Sequence, residues 1–204
     1  MLEVAVVGID GAGKTTDVKR AISYFREQGM RVVRIHVPDF ELLPRGFRTL
    51  GKQITSWWRW ADERHYKSLV VLLLIVAAFL FYAARRSVRG AGTVLIEHHP
   101  RIDLPAFAHL YGGPILGRIA QVIARLWRPP DMAIMLEVPP EIALERIRAR
   151  GSLVQSHETD EQLFRLAVLL RASVVRAVPE CYFLKEPTPE TFVAFLSLHL
   201  QKEA

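Results

Sequence analysis

The chain has 204 residues, half of them hydrophobic and 24% charged, enough to bury a core and too few for two large modules. That balance excludes a disordered tail, a collagen-like fibre and a polytopic membrane protein. The formal charge of +6 is carried mainly by arginine, whose planar fork bonds phosphate or carboxylate at two points. An anionic small molecule therefore suits this chain, and the absence of any block of five or six like charges speaks against a nucleic-acid partner. The single cysteine, Cys181, cannot form an internal disulfide, and no basic flank precedes the first apolar run, so a cytoplasmic protein is expected.

The first element is a strand over 2–7, followed by Gly8-Ile9-Asp10-Gly11-Ala12-Gly13-Lys14-Thr15-Thr16 and a helix over 14–28. The nine residues fit G-x-x-x-x-G-K-[ST] between a strand and a helix. Gly11 and Gly13 allow the backbone to curl round phosphate oxygens, so that amide groups and the positive helix end face the anion. Lys14 is placed to reach the outer phosphates as a mobile charge, and the Thr15 hydroxyl to join a Mg²⁺ shell. Residues Gly8, Asp10, Gly11, Ala12, Gly13, Lys14, Thr15 and Thr16 thus form the expected site for ATP with Mg²⁺.

A second strand over 31–36 leads to Asp39, an acid at the mouth of the same cleft, and helices are predicted within 42–56 and 62–88. Within the latter, Ser68 to Ala84 run without a charge between Lys67 and Arg85. At about 1.5 Å per residue this is roughly 25 Å, short of the ~30 Å apolar thickness of a bilayer. Strand-like segments on both sides look like parts of one sheet, so the run reads as a buried core helix. Trp57, Trp58 and Trp60 upstream keep membrane contact through 57–84 as an alternative.

The third strand, over 93–97, ends on Glu97 followed by His98 and His99. Glu97 is the acid placed to help hold Mg²⁺, directly or through water, with a structural salt bridge as the alternative. As strand residues the two histidines would face opposite ways and could not readily share a zinc ion, which leaves a substrate contact at His98 or an ordinary polar strand end. A helix over 115–127, a strand over 132–138, helices over 140–150 and 158–177, a strand over 181–184 and a helix over 188–201 complete the chain. Apolar strands separated by helices imply an α/β fold, with a parallel sheet between two helical layers. Arg146 and Arg150 lie four residues apart near the end of the helix from Pro140, so both share a face and are candidates to reach a transferring phosphoryl group from a lid spanning 146–158.

These segments resemble the thymidylate kinase family of P-loop kinases. Asp10 to Thr16 (DGAGKTT) is close to that family's loop, Leu80 to Arg85 (LFYAAR) is similar to its substrate-arginine helix, and Leu136 to Gly151 (LEVPPEIALERIRARG) to its fourth strand, next helix and lid entry. The resemblance covers roughly 170 residues. It implies a single P-loop NTPase domain over 1–204 of nucleoside-monophosphate-kinase type, with five parallel strands, and a homodimer with 62–84 as a candidate contact. It also implies that Lys14 and Thr15 bind ATP phosphates and Mg²⁺, that Arg85 holds the acceptor, and that Arg146 and Arg150 serve the lid. The acceptor end departs from the family pattern. Glu97-His98 stands where the family has Asp-Arg, and His36-Val37-Pro38-Asp39-Phe40 replaces its Arg-Glu-Pro-Gly-Gly-Thr stretch.

The expectation is therefore a Mg²⁺-dependent kinase moving the ATP γ-phosphoryl group to a small acceptor, a nucleoside monophosphate such as dTMP, lying toward Asp39, Arg85 and His98. The alternatives are a diverged kinase of a nucleoside or other small hydroxyl compound, and a non-catalytic ATP-binding switch or membrane-associated factor.

Overall fold

The structure, a computed structural model, describes residues 2–36, 92–151 and 159–200, together with Gln53, Ser56, Trp57 and Trp60. Asp39, Arg85, the apolar run 68–84 and lid residues 152–158 lie outside the described residues, as does the helix expected over 62–88. Of the helix expected within 42–56, Gln53 and Ser56 are described, both helical and exposed; Trp57 and Trp60 are exposed as well.

Five strands form the sheet: β1 (Leu2–Val7), β2 (Val32–His36), β3 (Thr93–Glu97), β4 (Met132–Glu137) and β5 (Cys181–Lys185). All pair in parallel, in the order β2-β3-β1-β4-β5. The three central strands are apolar without alternation and almost wholly buried, as a sheet covered on both faces requires. The helices are α1 (Lys14–Glu27), α2 (Pro100–Ala124), α3 (Pro140–Ala149), α4 (Asp160–Ala177) and α5 (Pro189–Leu200). Helix α1 packs with α5, and α2 packs with α4, giving the two covering layers. Connections from β1 and β4 leave toward opposite edges of the sheet, so a crevice opens at the carboxyl ends of the central strands, where ligands of such sheets bind. The strands β2 and β3, which flank the apolar run in sequence, are hydrogen-bonded neighbours. No helix among the described residues is long and apolar enough to cross a membrane.

Two expectations are corrected. Helix is found over 100–124, where the sequence predicted it only over 115–127. Pro105, Gly112, Gly113 and Pro114 read as helix breakers, yet residues 102–108 are buried throughout, and tertiary packing overrides the local penalty. The element is in fact two arms, because Gly113 has φ 78° and ψ −176°. Arg101 Nη1 donates to the Trp127 carbonyl at 2.7 Å, and a Cβ on Gly117 would sit 2.7 Å from His109 Cβ. The second arm therefore folds back along the first. The other correction concerns His98 and His99, which are not strand residues: β3 stops at Glu97, His98 turns left-handed at φ 62°, and His99 is the N-cap of α2. Pro100 explains the stop, since it favours extended backbone at the residue before it and fits the first helical position.

Candidate active site

The loop between β1 and α1 is shaped by its glycines. Gly11 has φ +81°, and a Cβ there would lie 2.2 Å from the Ala143 carbonyl oxygen, so the loop and α3 touch backbone to backbone. Gly13 has φ +98° and is the N-cap of α1, with no side-chain cap. Helices α2 and α4, by contrast, are capped by the side chains of His99 and Thr159. The first amides of α1 are thus left for an anion, with the positive end of the helix behind them.

Lys14, only 7% exposed, lies across the loop. Its ammonium donates to the carbonyls of Gly8 at 2.7 Å and Ile9 at 3.0 Å and stands 3.8 Å from Asp10 Oδ1. The adjacent Thr15 Oγ1 donates to Glu97 Oε2 at 2.6 Å. Glu97 is completely buried at the carboxyl end of the neighbouring strand β3. Its other oxygen accepts from Arg34 Nε at 2.5 Å, and His36 Nε2 lies 3.9 Å from Oε2. Burial pushes the Glu97 carboxyl up, but the hydrogen bonds from Arg34 and Thr15 and the nearness of His36 outweigh it, so its pKa falls below the ordinary value. Glu97 is held as a carboxylate.

The pairing of Arg34 and His36 with Glu97 was not read from the sequence. The register sets His36 opposite Glu97 and Arg34 opposite Leu95, and residues two apart on a strand share a face. A charged side chain inside an apolar strand was the available signal for Arg34; its partner depended on which strand lies beside β2.

Of the two expected lid arginines, the structure brings Arg146 to the loop, with Nη1 donating to the Gly11 carbonyl at 3.4 Å. Arg150 is the C-cap of α3 and is exposed. Gly151 follows in left-handed backbone at φ +66°, with its N–H bonded to the Arg148 carbonyl, which ends the helix before the lid residues begin. Asp17, in the first turn of α1, is also part of this corner. It is 3% exposed, and its Oδ2 is buried without a hydrogen-bond partner. Burial pushes its carboxyl up to about 6, against the pull of Arg146 and with a smaller push from Glu190. On the far side of Glu97, His98 Nδ1 lies 3.3 Å from Asp103 Oδ1, and the rings of His36 and His98 are 5.6 Å apart.

A cradle of free amides, a buried lysine and a threonine–carboxylate pair at the ends of β1 and β3, on a five-stranded parallel sheet, define a P-loop NTPase. No family model matches the chain. A thymidylate kinase of Xylella fastidiosa is 31% identical over 174 residues, 79% of this chain and 70% of that protein. A thymidylate kinase of Xanthomonas campestris pv. campestris is 29% identical over 181 residues, 84% of this chain and 71% of that protein. A solved structure of deoxyadenosine kinase from M. mycoides, with dCMP and a flexible dCDP bound, superposes with a TM-score of 0.64 at 16% identity, covering 98% of this chain and all of that one; it shares the fold. The chain belongs to the thymidylate kinase family and is an ATP-dependent kinase.

Proposed function

We propose that the chain catalyses Mg²⁺-dependent transfer of the ATP γ-phosphoryl group to a nucleoside monophosphate such as dTMP. The contact that carries this reading is Thr15 Oγ1 to Glu97 Oε2 at 2.6 Å. It joins a hydroxyl and a charged carboxylate, the hard oxygen donors that Mg²⁺ takes, beside the amides that take phosphate. Mg²⁺ would be held by Thr15, with Glu97 behind it, and would neutralise charge on the phosphates. Lys14 needs only to swing from the Gly8 and Ile9 carbonyls toward the outer phosphates. Arg146, already at Gly11, supplies a second positive charge to the transferring group. The acceptor lies toward Asp39, Arg85 and His98, and its oxygen attacks in line, with positioning and charge neutralisation providing most of the acceleration. An acceptor phosphate is already anionic and needs no base. A cytoplasmic homodimer belongs to the same reading, which rests here on family membership and the lone cysteine.

One observation favours a second reading. The Asp103 carboxylate beside His98 Nδ1 is the arrangement that orients an imidazole toward a hydroxyl proton, as a nucleoside acceptor would require. ADP release from MgATP separates the two: stimulation by dTMP supports the first reading, stimulation by nucleosides alone replaces it with the second. Lys14→Ala should lower either rate about a hundredfold or more. If no acceptor stimulates ADP release, both readings fail.

A further inference from the structure

A cavity of about 300 Å³ lies between the two arms of α2 and helix α4. Its polar lining includes Arg101, Arg118, Arg125 and Arg176, with Gln121 and Ser173 between them, and no carboxylate. Arg101 and Pro105, one turn apart on the first arm, face this space. Asp103, two residues from Arg101, points the other way to His98, as a rotation of about 200° along a helix requires. The cavity is thus on the opposite side of the first arm from the candidate active site.

Four guanidinium groups around one space repel one another unless counter-charge is supplied. Arg101 is anchored to the Trp127 carbonyl. The guanidinium groups of Arg118, Arg125 and Arg176 have no hydrogen-bond or ion-pair partner among the described residues. The other polar groups of the lining, the Ser173 hydroxyl, the Gln121 amide and the His109 imidazole, can also donate to an anion. Three helical segments contribute, so the array depends on the hairpin at Gly113 and on the close approach of Gly117 to His109. We infer that this cavity is a second anion site, which binds the phosphate or pyrophosphate group of a small molecule through the forked guanidinium groups. Its volume is at the lower end for small-ligand sites, matching a compact phosphorylated group.

The test uses the full chain in EDTA with inorganic pyrophosphate as the probe, and maps arginine modification by phenylglyoxal through peptide mass spectrometry. Pyrophosphate is expected to slow modification of Arg118, Arg125 and Arg176 while leaving exposed Arg20 unaffected, and to do so equally in wild type and in Lys14→Ala. Direct binding to the Lys14→Ala chain should weaken about tenfold or more in Arg118→Ala/Arg176→Ala, two exposed positions, with the melting temperature unchanged. Arg118→Lys/Arg176→Lys should retain part of the affinity. A nucleoside triphosphate run in parallel tells whether the site accepts a whole nucleotide or the phosphate group alone, and protection by pyrophosphate, with or without the triphosphate, supports it. The inference is overturned if protection is absent at millimolar pyrophosphate, if it disappears in Lys14→Ala, or if chloride at equal ionic strength reproduces it. Protection by a short single-stranded oligonucleotide but not by pyrophosphate would overturn it too, and would assign the face to nucleic acid.

Discussion

Glu97 has no exposure to water and is charged only because Thr15, Arg34 and His36 surround it. Removing one side of such a buried pair strands the other, a loss of about 3 kcal/mol. Glu97→Ala should therefore lower stability by about that amount in urea unfolding, and by clearly less when Arg34→Met is already present; equal losses in both backgrounds would show the pair to be uncoupled. Because its folded pKa is lowered, Glu97 stabilises the fold above its unfolded value, and this contribution is lost as pH falls through the folded pKa. Asp17 has the opposite sign. Its carboxyl is raised from 3.8 to about 6, so the native state holds the proton more tightly and stability declines as pH rises between those values. Above pH 6 the cost reaches at most about 3 kcal/mol. Metal-free Asp17→Asn should be more stable than wild type at pH 8 and should lose most of that gain at pH 4, as measured by denaturant midpoints.

At the scale of elements, the glycines separate two kinds of constraint. Gly11 combines a left-handed φ with a site 2.2 Å from the Ala143 carbonyl, so a side chain there must part the loop from α3. Gly11→Ala is expected to abolish measurable ATP binding while the chain remains folded by circular dichroism. Gly113 has open space around it, but its φ of 78° with ψ of −176° is backbone that essentially only glycine adopts, so alanine there should cost about 1–3 kcal/mol of strain. Gly117→Ala meets His109 at the closest approach of the two α2 arms and should destabilise by about 1–3 kcal/mol through overpacking. A thermal melt in which Gly117→Ala cost nothing would contradict the hairpin. The sequence marked Gly11 and Gly13 through their motif. It did not mark Gly117, whose neighbour lies eight residues away along a reversed helix.

For the whole molecule, α1 carries the loop and is itself backed by α5. Phe192, in α5, is completely buried and among the largest such side chains in the core. Phe192→Ala should cost about 3–5 kcal/mol in unfolding free energy, and a smaller loss would mean that α5 is not a structural support for the layer that holds the loop.

Much of this protein is determined locally. The strand–loop–helix from Leu2 through Glu27, the apolar central strands and the parallel α/β class follow from residue type and period, because glycine conformations, strand burial and helix amphipathicity are encoded within a few residues of each other. Lys14 and Thr15 are legible for the same reason. The tertiary structure alone decided the company kept by Glu97, since Arg34 reaches it only when β2 lies beside β3, and their sequence separation of 63 residues gives no local signal. It likewise decided that Arg146 rather than Arg150 meets the loop, that His98 leaves the strand, and that four arginines spread from 101 to 176 border one cavity. Each depends on how elements pack, a balance of burial and sterics that no short stretch of chain contains.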